Sequence, residues 1–224
     1  MTNQPYAPER RPIASRERQL SKRLASWIAQ RGVSPNAISV AGMIAGVLAG
    51  AAFAATALPE WDRLFFLLAA LLMQLRLLAN MLDGMVAVQT QRASPVGELF
   101  NEVPDRVSDA AIFIGAGYAA GNLPELGYLA ACVALFVAYV RAEGKVAGAH
   151  QEFCGPLAKP QRMFVMTVVA LYCGLAPREW QPAFDSFPRA GLPAAGLALI
   201  VLGGIWTAAR RLLRIAGALR RSRS

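Results

Sequence analysis

The sequence predicts an all-α polytopic membrane protein, with six transmembrane helices preceded by an N-terminal amphipathic interfacial helix. Three observations carry this reading. Hydrophobic residues make up 55% of the 224, above the roughly 45–50% of ordinary soluble domains. They fall in long blocks, at 36–58, 64–82, 110–120, 126–140, 163–176 and 190–209, several of them near the ~20 residues that cross a bilayer as a helix. The net charge of +9 is concentrated at the ends, with seven Lys or Arg in residues 1–35 and six in the last 15. Basic ends that flank apolar spans follow the positive-inside rule, which leaves no call for a nucleic-acid partner.

Residues 1–13 read as a disordered N-terminus. Residues 14–33 read as an amphipathic juxtamembrane helix, because Leu20, Leu24, Trp27 and Ile28 share one face with Arg and Lys opposite. Gly32 is its stop signal. The membrane domain is expected over 34–215, and a basic cytoplasmic tail over 216–224. Within the domain, Pro35 sits where the first helical turn tolerates proline. Span 1 runs over about 36–57, and its Gly42, Gly46 and Gly50 form a small-residue ridge for close helix packing. Spans 2 to 6 are expected at about 62–88, 97–119, 125–147, 160–176 and 190–214.

Six spans put both termini on one side. That side also holds loop 89–96 and segment 141–162, and collects 18 basic residues; the opposite ends carry only Arg63, Arg178 and Arg189. The basic side is therefore cytoplasmic. Cys132, Cys154 and Cys173 show no paired or metal-binding spacing, and the lone His150 is a solvated loop residue. The polar first 35 residues show no cleaved signal peptide, so span 1 is expected to act as the insertion signal.

Five of the 14 acids lie within residues 83–109, in stretches that should lie in the membrane. Ionisable groups at that depth are costly and mark functional sites. Asn80, Asp83 and Ala87 share one helical face, and Gly97, Asn101, Asp105 and Asp109 share another at steps of four. A short loop joins the two spans, so the faces should meet at the cytoplasmic mouth. Two carboxylates and two amide oxygens then form a cage suited to a hard divalent ion shared with substrate phosphates. Gly84 and Gly97 leave room for a ligand, and Pro104 removes one backbone hydrogen bond from span 3. Interhelical polar contacts alone are the competing reading, which five converging acids disfavour.

Asp83-Gly84-Met-Val-Ala87-Val88, eight residues, then Gly97-Glu-Leu-Phe-Asn101-Glu-Val-Pro-Asp105 resembles the signature of the CDP-alcohol phosphatidyltransferases, D-x-x-D-G-x-x-A-R, eight residues, G-x-x-x-D-x-x-x-D. Every spacing matches. Asn80 and Asn101 stand in place of the first and third aspartates, and Val88 in place of the arginine. Pro35-Asn36-Ala-Ile-Ser39 is similar to the family's start of span 1, so the resemblance covers most of the chain.

The resemblance implies a phospholipid-biosynthetic enzyme. It would transfer a phosphatidyl group from CDP-diacylglycerol to the hydroxyl of a polar or phosphorylated alcohol, releasing CMP, with Mg²⁺ or Mn²⁺ as two ions. It assigns Asn80, Asp83, Asn101 and Asp105 as metal ligands and Asp105 as general base. Asn80, Asp83, Gly84, Ala87 and Gly97 would bind CDP. The family's acceptor pocket maps to the region of Arg141, Lys159 and Arg162. The loss of two negative charges makes Glu102 and Asp109 the candidates to restore charge, and Arg76, Arg92 and Arg106 the candidates to replace the missing arginine. The family also implies a homodimer, with the site facing the cytoplasm of a bacterial inner membrane. Two alternatives remain: a catalytically impaired member acting as a CDP-lipid-binding or scaffold protein, and a small transporter, disfavoured by the lack of an inverted repeat.

Overall fold

A computed structural model describes residues 19–58, 60–92, 94–119, 121, 123–150, 152–182 and 191–221. The expected disorder of 1–13, the first residues of the amphipathic helix, Arg189 and the last three residues of the tail lie outside these. The described elements are all helical: α1 (Gln19–Gln30), α2 (Pro35–Ala55), α3 (Asp62–Gln89), α4 (Pro95–Ala119), α5 (Pro124–Val146), α6 (Lys159–Leu175) and α7 (Gly191–Arg221), with a 3-10 turn at Arg178–Trp180 after α6.

Local chemistry sets several boundaries. Ser34 caps α2 by accepting a 3.2 Å hydrogen bond from the Ala37 amide, and Pro35 opens the helix. The same device acts at α4, where the Gly97 amide donates to Ser94 Oγ at 3.1 Å. This cap starts α4 two residues earlier than the sequence reading, so the connection after α3 is shorter than 89–96. Proline also opens α5 and occupies the first turn of α6. At the C-terminal end, α7 continues to Arg221, through most of the segment read as a tail.

Four helices, α2, α3, α5 and α7, are long and apolar enough to cross a membrane. α6 has 17 residues, and α4 carries Glu98, Glu102, Asp105, Arg106 and Asp109 between its first turn and just past its middle. Large apolar side chains face outward, including Leu48, Leu71, Phe136 and Leu202. The inward faces form one core from Phe53, Phe66, Met73, Phe113, Met163, Met166 and Leu197, among others. Phe53 and Phe66 meet edge to face at 6.2 Å, a favoured aromatic geometry.

The expected glycine ridge is where α2 packs. A Cβ on Gly42 would lie 2.9 Å from the Ala79 Cβ of α3, and one on Gly46 would lie 2.5 Å from the Ser108 Cβ of α4. At Gly50 a Cβ would fall on the Ala111 backbone carbonyl, which cannot move aside as a flexible side chain can. Gly50→Ala is therefore expected to cost ~1–3 kcal/mol through overpacking. That lowers the midpoint of thermal unfolding in detergent by about 2–12 °C. Gly217→Ala is the control: nothing lies within 4 Å of its Cβ position, and the better helix propensity of alanine should leave the midpoint unchanged or higher. Equal losses in both variants would show that the α2–α4 approach is not what glycine serves.

α1 does not lie apart from the bundle. Its Ala25, Leu24 and Ile28 pack against Ile38 of α2 and Leu82 and Val86 of α3. Leu20 and Trp27 stay exposed, with the Arg31 guanidinium 4.0 Å over the Trp27 ring. The apolar face read from the sequence is thus divided between protein and surroundings.

Candidate active site

Asn80 and Asp83 on α3 and Asn101 and Asp105 on α4 line one cleft. The cleft is completed by Ser39, Gly42 and Met43 of α2, Arg76 of α3, and Pro104 and Ser108 of α4. The three helices meet here because the small residues at 42 and 46 let α2 approach both others. Asp83 is buried at 4% exposure. Its Oδ2 accepts a 2.6 Å hydrogen bond from Ser39 Oγ, while its Oδ1 is buried and finds no hydrogen-bond partner. Asn101 Oδ1 is in the same condition.

Asp105 differs. Arg76 Nη2 donates to its Oδ1 at 3.1 Å and to its backbone carbonyl at 3.3 Å, and the Lys159 ammonium pairs with its Oδ2. Arg76 Nη2 also bonds Asp109 Oδ1 at 2.6 Å. Asp109 Oδ2 faces Arg162 Nη2 at 3.4 Å, and Arg162 Nη1 donates to the Leu157 carbonyl at 3.0 Å. Arg76 Nε and Nη1 remain buried without partners. Further out, Arg141 Nη2 donates to both Glu102 oxygens at 2.7 Å, and Arg106 binds the same carboxylate at 2.8 Å. Lys145 approaches Glu98 at 3.4 Å.

Lys159 reaches the cleft because the loop before it is clamped to α7. Arg211 Nε donates to the Cys154 carbonyl at 2.9 Å, and its Nη1 to the Val137 carbonyl at 3.0 Å. The Leu157 amide donates to Thr207 Oγ1 at 3.3 Å. Gly155 lies between these anchors at φ 123°, where side chains are strained and where a Cβ would also strike Thr207. The Cys154 thiol is pushed above its usual range by burial and by Glu152 beside it, so it is not an activated nucleophile.

Each residue read from the sequence now has a place. Asn80, Asp83, Asn101 and Asp105 converge. Gly84 and Ala87 lie beyond them on α3, and a Cβ on Gly97 would meet Ser94 Oγ at 3.4 Å and Asn36 at 4.0 Å. Lys159, Arg162 and Arg141 each pair with a different acid of α4. Glu102 and Asp109, the candidates to restore charge, are both held by arginines. Of the candidates to replace the arginine at Val88, Arg106 is held by Glu102, Arg92 is exposed, and Arg76 lies in the cleft. The roles of Arg211 and Ser39 were missed. Ser39 carried a signal, since it stands in the Pro35–Ser39 stretch; Arg211 had none to separate it from the neighbouring arginines.

The sequence profile of the CDP-alcohol phosphatidyltransferases matches residues 32–207. The chain belongs to this family. It is 27% identical over 206 residues to an archaetidylinositol phosphate synthase of Aeropyrum pernix, covering 92% of this chain and 94% of that one. It is 30% identical over 157 residues to a phosphatidylinositol phosphate synthase of Streptomyces avermitilis, covering 67% and 62%. The fold matches crystal structures of the Mycobacterium tuberculosis phosphatidylinositol phosphate synthase at 18% identity. With CDP-DAG bound the TM-score is 0.69, over 88% of this chain and 94% of that one. In complex with manganese and citrate it is 0.70, over 87% and 88%. This CDP-alcohol phosphatidyltransferase is thus an enzyme of phospholipid biosynthesis.

The donor set fits a divalent cation. Carboxylate and amide oxygens are the ligands hard ions take, and the buried, unpartnered Asp83 Oδ1 and Asn101 Oδ1 are two such acceptors in the cleft. Among the described residues no three His, Cys, Asp or Glu gather as a metal cluster, because amides occupy two of the four positions.

Proposed function

We propose that this enzyme transfers a phosphatidyl group from CDP-diacylglycerol to the hydroxyl of a polar, phosphorylated alcohol, releasing CMP, in the presence of Mg²⁺ or Mn²⁺. The observation that carries the reading is the convergence of Asn80, Asp83, Asn101 and Asp105 on one cleft. Relatives named for inositol phosphate products support a phosphorylated polyol as acceptor, as does the arginine- and lysine-rich ground between α5 and α6.

Asp83, Asn101, Asn80 and Asp105 are the groups that would hold the cation. When bound, it supplies charge stabilisation to the attacking and leaving oxygens. Asp105 accepts the proton of the acceptor hydroxyl. The alcohol oxygen then bonds to the lipid-side phosphorus, and the bond from that phosphorus to the oxygen bridging to CMP breaks. Arg76 and Lys159 flank Asp105, one on each carboxylate oxygen. Gly84, Ala87 and Gly97 form the wall toward the cytidine. Arg141, Lys159 and Arg162 border the acceptor side. The catalytically impaired reading is weaker, because both carboxylates the reaction needs face the cleft.

The outward apolar faces support a bilayer setting. In it, α2 to α7 make six crossings, α1 rests at the interface, and the site and both termini face the cytoplasm, in a bacterial inner membrane. α4 crosses despite its acids because these point inward onto Arg76, Lys159, Arg162 and Arg141. A homodimer accords with the family resemblance.

The test is CMP release by the purified protein with CDP-diacylglycerol, Mn²⁺ or Mg²⁺ and a panel of free and phosphorylated alcohols. Release is expected with a phosphorylated polyol, and EDTA should reduce it to background, with recovery on added metal. No metal-dependent release with any acceptor would sink the reading.

A further inference from the structure

Building on the metal-dependent reading above, we infer that the cleft binds a single divalent ion, on Asp83, Asn101 and Asn80, and that Asp105, the fourth member of that set, does not hold it. Lys159 and Arg76 supply positive charge at the Asp105 end, in place of the second of the two ions that the resemblance implies.

The cleft has two unlike ends. At one, Asp83 Oδ1 and Asn101 Oδ1 are buried acceptors without donors, an environment that seeks a cation. Ser39 fixes the carboxylate from behind by bonding its other oxygen at 2.6 Å. At the other end both Asp105 oxygens are already met, by Arg76 at 3.1 Å and by Lys159. The unused groups there are the Nε and Nη1 of Arg76. These are N–H donors, which attract phosphate oxygens and repel a metal ion.

Charge gives the same answer. Four aspartates neutralise two divalent ions. This cleft has two carboxylates, and the charge of one of them, Asp105, is already met by Arg76 and Lys159, so too little negative charge remains for two ions. A second ion beside Arg76 and Lys159 would add like charges in surroundings of low dielectric, where repulsion is weakly screened. The two asparagines lower the negative charge around the ion, and Lys159 supplies positive charge at the Asp105 end. Lys159 also has the access the role requires. Its side chain is 18% exposed, whereas that of Arg76 is 1% exposed, so the lysine can follow a substrate diphosphate and the arginine is a fixed donor.

The experiment is Mn²⁺ titration of the full-length protein in lipid nanodiscs, with bound ion counted by the loss of the free-ion electron paramagnetic resonance signal. The wild type is expected to bind one ion per chain, with a frozen spectrum free of Mn–Mn coupling. Asn80→Asp/Asn101→Asp/Lys159→Gln should bind two ions and show that coupling. Asn80→Asp/Asn101→Asp with Lys159 kept should bind its second ion at least tenfold more weakly than the triple variant. Two ions in the wild type would overturn the inference. A triple variant that keeps its unfolding midpoint yet binds one ion would remove Lys159 from the role. A wild type that binds none would defeat the metal-dependent reading itself. The wild-type count decides the matter even where a variant does not fold.

Discussion

Asp105→Asn is expected to lower CMP release at saturating donor and acceptor by about 10³-fold, within the ~10²–10⁴ that general acid–base groups contribute. The substitution preserves shape and one carbonyl oxygen, so the donor lipid should still bind. What is lost is the carboxylate that takes the acceptor proton. The effect is not purely chemical, because Asp105 also separates Arg76 from Lys159. Removing its charge leaves two cations facing each other, and some stability should go with it. Measurement of turnover, CDP-diacylglycerol affinity and unfolding midpoint on one preparation separates these effects. A variant that binds donor within about tenfold of wild type, stays folded and has lost turnover supports the base assignment. Turnover within about threefold of wild type would move the base elsewhere, to a group the cleft does not now suggest.

The helices were legible because membrane chemistry writes them plainly. The expected spans agree with α2, α3, α5 and α6 to within one or two residues at each end, with Pro35 marking the start of α2. At α7 the helix runs on past the expected span at about 190–214. The apolar run stops where Arg210 and Arg211 begin, but helix formation does not. Leu212, Leu213 and Ile215 continue the helical pattern to Arg221, so the end of a hydrophobic block is not the end of a helix. Residue spacing placed Asn80 with Asp83, and Asn101 with Asp105, on single faces, and the short loop after Gln89 brought those faces together. Partners from distant helices were not legible. Glu102 meets Arg141 across 39 residues, and Asp105 meets Lys159 across 54. Spacing within a helix shows which side chains share a face but not which neighbour that face meets. Arg76 did carry a signal: it stands four residues before Asn80 in a run otherwise broken only by Gln74, where a charge calls for a partner.

Arg76→Ala should be strongly destabilising. Its side chain is 1% exposed and joins Asp105 to Asp109, itself 2% exposed. Breaking a buried pair by deleting one member costs roughly 3–5 kcal/mol, because the other charge remains without compensation. Lys159 can still serve Asp105. Asp109 would keep only the 3.4 Å contact with Arg162, so it carries most of the penalty. The loss should appear as a fall of about 10 °C or more in the unfolding midpoint. Asp109→Asn in the same chain removes the stranded charge and should return a large part of that loss. The cycle of wild type, two single variants and the double variant then gives a coupling energy of at least ~2 kcal/mol. Additive losses would mean that Arg76 acts by filling volume. Activity should not recover with stability in the double variant, because Asp105 would still lack the guanidinium that orients it and the cleft would lack the two donors Arg76 directs into it. Recovery of both together would confine Arg76 to a purely structural role.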